Sequence, residues 1–491
     1  MTQALRRQTS LRVLAAAAFG TALMSLSAPA MAGPLTEDHK SAIIGTVEAN
    51  QAALDHAALE LWKFAELGYQ EHQSAALLAQ QLRDAGFKVE TGIANEPTAF
   101  LASFKTGEGP VIAVLAEYDA LPGLSQTLNP VQESAGGHAG HGCGHNLFGA
   151  ASIHSAIAVK AWMEANNIKG ELRVYGTPAE EGGSGKVYMV RDGLFDDVDV
   201  SLHWHPGNVN SARQGDTMSN VSGKFRFYGT SSHAAAAPDK GRSALDGIEA
   251  MNTMVNLMRE HVPDRTRIHY AITDGGKAPN VVPAYAEAYY YVRHNNPEIV
   301  RDVLDRVVKA AEGAAIGTGT RMEFEAIGGV YSMLSNETLM HVMDRNLRSV
   351  GGITWTEEEK ALAREIQKTL TSQPDLASVG EILPAALGGE FGGSTDVSDV
   401  SWVTPTVGLS TATFVPGSAG HSWQNVVAAG STIGLKGAHL AAKTLALTTA
   451  ELFQSPDVIA TATEEFERRR GPNFEYKALL GDRTPALNYR D

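Results

Sequence analysis

Between residues 38 and 86, apolar positions recur at helical spacing, first Leu59, Leu61, Trp62, Phe64 and Ala65, then Leu77, Leu78 and Leu82. That spacing predicts two helices packed on a core. Two short apolar runs, Ala99–Phe104 and Val111–Ala116, flank Thr106-Gly107-Glu108-Gly109 and read as strands joined by a turn. Leu147–Met163 predicts a helix, Leu172–Tyr175 a strand, Ser184–Leu194 a helix and Val198–Leu202 a strand. Strands alternating with helices favour a mainly parallel sheet covered on both faces.

The rhythm changes near residue 216. Lys224–Tyr228 reads as a strand, Ser243–His261 as a helix, Arg267–Thr273 and Tyr285–Arg293 as strands, Pro297–Ala311 as a helix and Arg321–Ile327 as a strand. The order β-α-β-β-α-β is that of a ferredoxin-like α+β sandwich. The expected fold is therefore α/β: a larger domain on a mainly parallel sheet, built from 33–215 and 330–455, with a smaller domain inserted at 216–329. The large domain closes with an apolar helix near Ile433–Leu452. The charged, helix-prone Glu357–Leu370 reads as an excursion and 456–491 as a polar tail.

The length of 491 residues agrees with more than one domain. A net charge of −15 without any basic tract argues against nucleic acid as a partner. Residues 1–32 stand apart from the fold. They carry Arg6, Arg7 and Arg12 but no acid, then an apolar run from Leu14 to Leu26, then Ala30-Met31-Ala32. This is the pattern of a cleaved export signal, so the expected location is the periplasm or the exterior, with no membrane association after cleavage at Ala32. The single cysteine, Cys143, excludes an intrachain disulfide. In an oxidising compartment that thiol is expected to be buried or metal-bound.

Chemistry-bearing residues gather in four motifs. His138-Ala139-Gly140-His141-Gly142-Cys143-Gly144-His145-Asn146 precedes a predicted helix and holds good ligands for zinc and related ions. Glu180 and Glu181, in Thr177-Pro178-Ala179-Glu180-Glu181-Gly182-Gly183, follow a predicted strand. Adjacent carboxylates are ordinarily just solvated acids, but active sites collect at strand C-termini in an α/β sheet. There one carboxylate can hold a metal while its neighbour moves protons. His203 and His205 point to the same face of a strand by alternation, so either is a candidate ligand. His421, in Gly420-His421-Ser422-Trp423, says little alone.

The order Ala116-Glu117-Tyr118-Asp119-Ala120-Leu121-Pro122, His141-Gly142-Cys143-Gly144-His145-Asn146, Pro178-Ala179-Glu180-Glu181-Gly182-Gly183 and a late histidine resembles the dinuclear metal-dependent amidohydrolases related to aminoacylase and glutamate carboxypeptidase. The resemblance runs from about 36 to 455. Trp204-His205-Pro206 and Gly393-Ser394-Thr395-Asp396-Val397 are most similar to its aminobenzoyl-glutamate hydrolase branch.

The resemblance implies an enzyme that splits N-acyl or N-aroyl amino acids into a carboxylic acid and a free amino acid, using two divalent ions, Zn²⁺ or Mn²⁺. Cys143 would bridge them, His145 and His205 would complete one site, and Glu181 and His421 the other. His205 is preferred to His203 because it lies 24 residues after Glu181, the family's interval, and precedes Pro206. Glu180 would be the general base and Asp119 would orient a ligand. The family usually has Ala-Asp-Met-Asp where this chain has Ala-Glu-Tyr-Asp, which leaves Glu117 without a role; His138, His141 and His203 have none either. The inserted domain would be a lid and dimerisation domain. Its His233 would reach the partner's site to stabilise the oxyanion, and Asn280 and Arg293 would hold the substrate carboxylate. A homodimer is implied, and a related second subunit is compatible with that branch. Two other functions fit the same residues: a dipeptidase or carboxypeptidase with the same dinuclear site, and a non-catalytic binding protein on this fold.

Overall fold

The structure, a computed structural model, describes residues 35–390 and 393–490. The expected export segment, 1–32, lies outside the described residues. Six strands form the larger sheet in the order Lys88–Thr91, Phe100–Lys105, Glu171–Gly176, Val111–Ala116, Val200–Gly207 and Thr406–Ala412. The last four run parallel, and the first two are antiparallel additions at one edge. Val111–Ala116 and Val200–Gly207 are almost wholly buried, as strands covered on both faces must be.

One face is covered by Gln51–Phe64, the 22-residue helix His145–Asn166 and the 23-residue helix Thr432–Gln454. Their Leu61, Phe148, Ile153, Leu445 and Leu447 join one core with Ile112, Val114, Leu172 and Leu202 of the sheet. The opposite face packs Met189 and Val190 of Gly185–Arg191, with Val397 and Val400, against Ala113, Leu115 and Tyr175.

The inserted unit is an antiparallel sheet in the order Arg267–Asp274, Tyr285–His294, Ser219–Tyr228, Arg321–Val330. Helices Ala244–Met258 and Pro297–Thr318 share its core through Ile248, Met251, Val303 and Val307. Both parts agree with the expected fold class: a mainly parallel α/β sheet and an inserted ferredoxin-like sandwich.

Two segments differ from their expected character. Glu357–Gln367 is no excursion: a capping box at Thr356 and Glu359 starts the helix, Ala363 and Ile366 join the main core, and Lys436 pairs with Glu359 at 2.6 Å. Residues 456–490 are not a loose tail. Pro456–Arg470 is a helix whose Ile459 and Ala462 are in the main core, and Leu479 and Leu480 are buried farther on. Both stretches are mostly polar in sequence, and a few spaced apolar residues suffice to anchor them. Among the described residues, no helix is long and apolar enough to cross a membrane.

Candidate active site and metal centre

The candidate ligands come from elements that meet at the C-terminal ends of the parallel strands, where an α/β sheet opens its crevice. Glu117 and Asp119 follow Val111–Ala116, Glu180 and Glu181 follow Glu171–Gly176, and His205 lies near the end of Val200–Gly207. Cys143 and His145 sit where the loop enters helix His145–Asn166. Gly144 makes this entry possible. It turns at φ 78°, and a Cβ there would lie 2.8 Å from Cβ of Pro206. Only glycine lets the Cys143–His145 turn come this close to the strand that carries His205.

Three groups of donor atoms result, each within 4.8 Å of one another: Cys143, His145 and His205; Cys143, Glu181 and His421; and Glu117, His145 and Glu180. The first two share the thiol, so two ions could be held about one bridging sulfur. His205 donates from Nδ1 to the Pro206 carbonyl at 2.7 Å, which leaves the lone pair of Nε2 facing Cys143 Sγ 3.5 Å away. His145 Nδ1 is 2.8 Å from Asp119 Oδ1, so its Nε2 likewise faces the cluster. Asp119 accepts the Glu181 backbone N–H through its other oxygen at 2.9 Å and thereby ties the two glutamates to His145.

The donor set fits divalent ions. Glu181 Oε1 and His421 Nε2 lie 3.2 Å apart, yet Oε1 is buried without a hydrogen-bond partner. Two ligands at about 2.0–2.2 Å from one ion stand about 2.8–3.6 Å apart between right-angled and tetrahedral arrangements, and a sulfur and a nitrogen about 3.0–3.6 Å. Both measured separations fall in these ranges. Burial pushes the Cys143 thiol up, reinforced by Glu181, so its thiolate requires a nearby cation. Burial also raises the Glu180 carboxyl well above the usual range, with Glu117, Glu181 and Asp396 adding to it, as suits a proton acceptor. Ala179 and His421 adopt left-handed φ of 56°. Such strain in non-glycine residues concentrates at functional loops.

The histidines without an assigned role are now placed. His141 Nε2 meets the Leu61 carbonyl at 2.9 Å while its Nδ1 accepts the Asn146 N–H, so it braces the loop and has no free nitrogen. His203 packs against Gly408 on the neighbouring strand, where a Cβ would lie 2.2 Å from its Nε2, and burial lowers its pKa to about 3. His138 is exposed.

The lid residues are arranged differently. His233 and Asn280 are exposed and adjacent, joined by the Ala234 N–H to the Asn280 carbonyl at 3.1 Å. His233 Nδ1 accepts the N–H groups of Ala235 and Ala236 at 3.2 and 3.1 Å, which places the ring proton on the outward Nε2. Arg293 lies over the Tyr291 ring at 5.1 Å, with its Nε buried and unpartnered. Among the described residues, no hydrogen bond or ion pair joins these three to the ligand cluster.

Three residues near the cluster escaped the sequence. Lys186 is fully buried, 2.7 Å from Glu117 and 2.6 Å from Asp396. A lysine in the otherwise apolar Lys186–Val190 was the available signal. Tyr489 and Arg490 both donate to the Glu181 carbonyl, brought there by the packing of the C-terminal segment.

Comparison with known proteins places the chain in a family. Residues 217–318 match the peptidase dimerisation domain of the M20 family. The chain is 41% identical over 452 residues, 86% of its length and 93% of the relative's, to a p-aminobenzoyl-glutamate hydrolase subunit of Escherichia coli (strain K12). The chain belongs to the M20 family of metal-dependent peptidases and amidohydrolases. It is accordingly a hydrolase of linear amides. Mouse (Mus musculus) Xaa-Arg dipeptidase is 30% identical over 421 residues, 83% of this chain and 87% of that one. A dinuclear metal-binding peptidase of the M20 family from Bacillus subtilis has the same fold, with a TM-score of 0.56 and 20% identity over 82% of this chain and 99% of its own.

Proposed function

We propose that this M20 hydrolase splits the amide bond of N-acyl and N-aroyl amino acids, aminobenzoyl-glutamate among them, with two divalent ions at the Cys143 cluster. The observation that carries this reading is the pairing of two three-donor groups about Cys143, with the Glu180 carboxyl beside them within 4.8 Å of His145. The 41% identity to the aminobenzoyl-glutamate hydrolase of Escherichia coli supports the substrate class.

Two ions, Zn²⁺ or Mn²⁺, held by Cys143, His145, His205, Glu181 and His421, would supply Lewis acidity and a water of lowered pKa. Glu180 takes one proton from the attacking water and delivers it to the nitrogen of the departing amine as the C–N bond breaks. Asp119 keeps His145 and the Glu181 backbone in register during that exchange. His233 presents Nε2–H as the donor for the oxyanion, and Asn280 and Arg293 hold the substrate carboxylate. Both assignments require the lid of this chain or of a second one to close over the cluster. We infer a dimer through the inserted domain, formed by two copies or with a related subunit. Residues 1–32 act as an export signal, so the mature enzyme works outside the cytosol.

The 30% identity to a dipeptidase favours one second reading, unblocked dipeptides as substrates. The test is amino-acid release by the 33–491 protein loaded with Zn²⁺ or Mn²⁺. The panel holds aminobenzoyl-glutamate, benzoyl-glycine, acetylated amino acids and unblocked dipeptides. Release from the blocked compounds alone is expected. Preference for dipeptides would transfer the function to the second reading, and inactivity with both ions bound would remove both. Fractionation with N-terminal sequencing checks export: a mature chain starting at Gly33 outside the cytosol is expected.

A further inference from the structure

Glu117 lies at the wall of the site with no part in the chemistry above. It is 1% exposed, and its two oxygens face different neighbours. Oε1 is 2.7 Å from the Lys186 ammonium, which is itself 2.6 Å from Asp396 Oδ1. Asp396 also accepts the Lys186 backbone N–H through Oδ2 at 2.9 Å, so it grips both ends of that residue. Oε2 is 3.2 Å from His145 Nε2 and belongs with it to one donor group; neither of these buried atoms has a hydrogen-bond partner, and Oε1 has only its ion pair with Lys186.

That contact has the geometry of two ligands sharing an ion. His145 Nδ1 is committed to Asp119, so only Nε2 is available to the cluster. A His–Glu pair at 3.2 Å normally closes an N–H···O bond, but these two buried atoms form none. Lone pairs that converge on a third point leave both atoms without a hydrogen bond, and 3.2 Å falls within the about 2.8–3.6 Å between two ligands of one ion. Glu181 Oε1 and His421 Nε2 show the same separation and the same lack of a hydrogen bond at Oε1.

We propose that Glu117 Oε2 is a further protein ligand of the ion bound by His145, and that Lys186, clamped by Asp396, positions Glu117 through Oε1. The proposal rests on the dinuclear reading above. The lysine holds the carboxylate in one rotamer and balances its charge, leaving one oxygen for the ion. This gives the Ala-Glu-Tyr-Asp motif a purpose for its first acid. It also gives Asp396 a reason to sit on a segment distant in sequence.

The test compares wild type with Glu117→Gln, Glu117→Asp and Lys186→Met by ion content after dialysis, calorimetric titration with Zn²⁺ and Mn²⁺, and the absorption spectrum of the Co²⁺-loaded protein. Wild type should hold two ions. Glu117→Gln should weaken one of them by more than about 100-fold, beyond the 10–100-fold of an indirect partner, and change the Co²⁺ bands. Glu117→Asp keeps the charge but falls short, so it should resemble Gln. Lys186→Met should weaken that ion about 10-fold with the Co²⁺ bands largely kept. Should Glu117→Gln fail to fold, Glu117→Gln/Lys186→Met removes both charges together and should show the same loss in a folded protein. Two ions of unchanged affinity and an unchanged Co²⁺ spectrum in the Gln variants would overturn the role of Glu117 alone. A wild type that binds no ion would overturn the dinuclear reading along with it.

Discussion

The two regions to which we assign this enzyme's chemistry are built in opposite ways. The ligand cluster is assembled by one chain: His145, Asp119 and Glu117 are at most 1% exposed and braced by short contacts, while His421 alone of its candidate ligands is exposed. On the lid, His233 and Asn280 lie in the open and Arg293 is half-buried. Folding alone brings the first region together, and because buried polar atoms left unmatched are costly, its unpartnered Glu117, His145 and Glu181 atoms call for ions. The second can remain exposed until substrate or a second copy arrives. Preorganised charge is thus concentrated at the proposed ion site, and the residues proposed to hold substrate lie on a more open surface.

The harshest way to break the comparison is chelation. Removing divalent ions should abolish turnover, with Zn²⁺ or Mn²⁺ restoring it, and circular dichroism should show the lid sheet intact. Glu180→Gln comes next: kcat should fall about 10²–10⁴-fold while ion content is unchanged. His233→Ala should lower kcat about 10²–10³-fold, also with ions retained, since it removes an oxyanion donor outside the cluster. Mixing inactive Glu180→Gln and His233→Ala chains sharpens this. If His233 serves its partner's site, exchanged dimers regain about a quarter of the sites; no recovery would place His233 in the site of its own chain. Asp119→Asn should weaken ion binding about 10–100-fold, measured by titration.

The smallest effect concerns acid stability. Burial lowers His141 and His154 to about 4 and His203 to about 3. Each folded-state value lies below the unfolded value near 6.5, so their contribution is present above about pH 6.5 and fades as pH falls towards 4. His154→Leu should therefore flatten the acid limb of the metal-free protein's stability, by on the order of 3 kcal/mol at most. Denaturant titrations at pH 7 and 4.5 measure it. An unchanged slope would show that His154 titrates normally.

Much of this was written in the local sequence. The strand runs Val111–Ala116 and Tyr285–Arg293 were visible as apolar or alternating stretches, and the Gly-rich spacing around Cys143 announced a tight, donor-rich loop. Other features were hidden because their partners are remote. Phe100–Lys105 reads as one more strand of the parallel set, yet it pairs antiparallel with Glu171–Gly176, a choice made by the sheet edge and not by its own residues. Glu357–Gln367 and the 456–490 segment look detached, since their anchoring residues are few and meet cores formed elsewhere. Lys186 reads as a surface lysine until Glu117 and Asp396 close around it.

The sequence by itself determined the element types, the inserted domain and the inventory of thiol, imidazole and carboxylate groups, because these depend on periodicity and residue chemistry within short windows. Only the tertiary structure decided that His141 braces the loop, that His203 packs against Gly408 and what Glu117 faces. Those outcomes depend on atoms 26 to 210 positions apart in the chain being brought within 4 Å, and no local pattern records such distances.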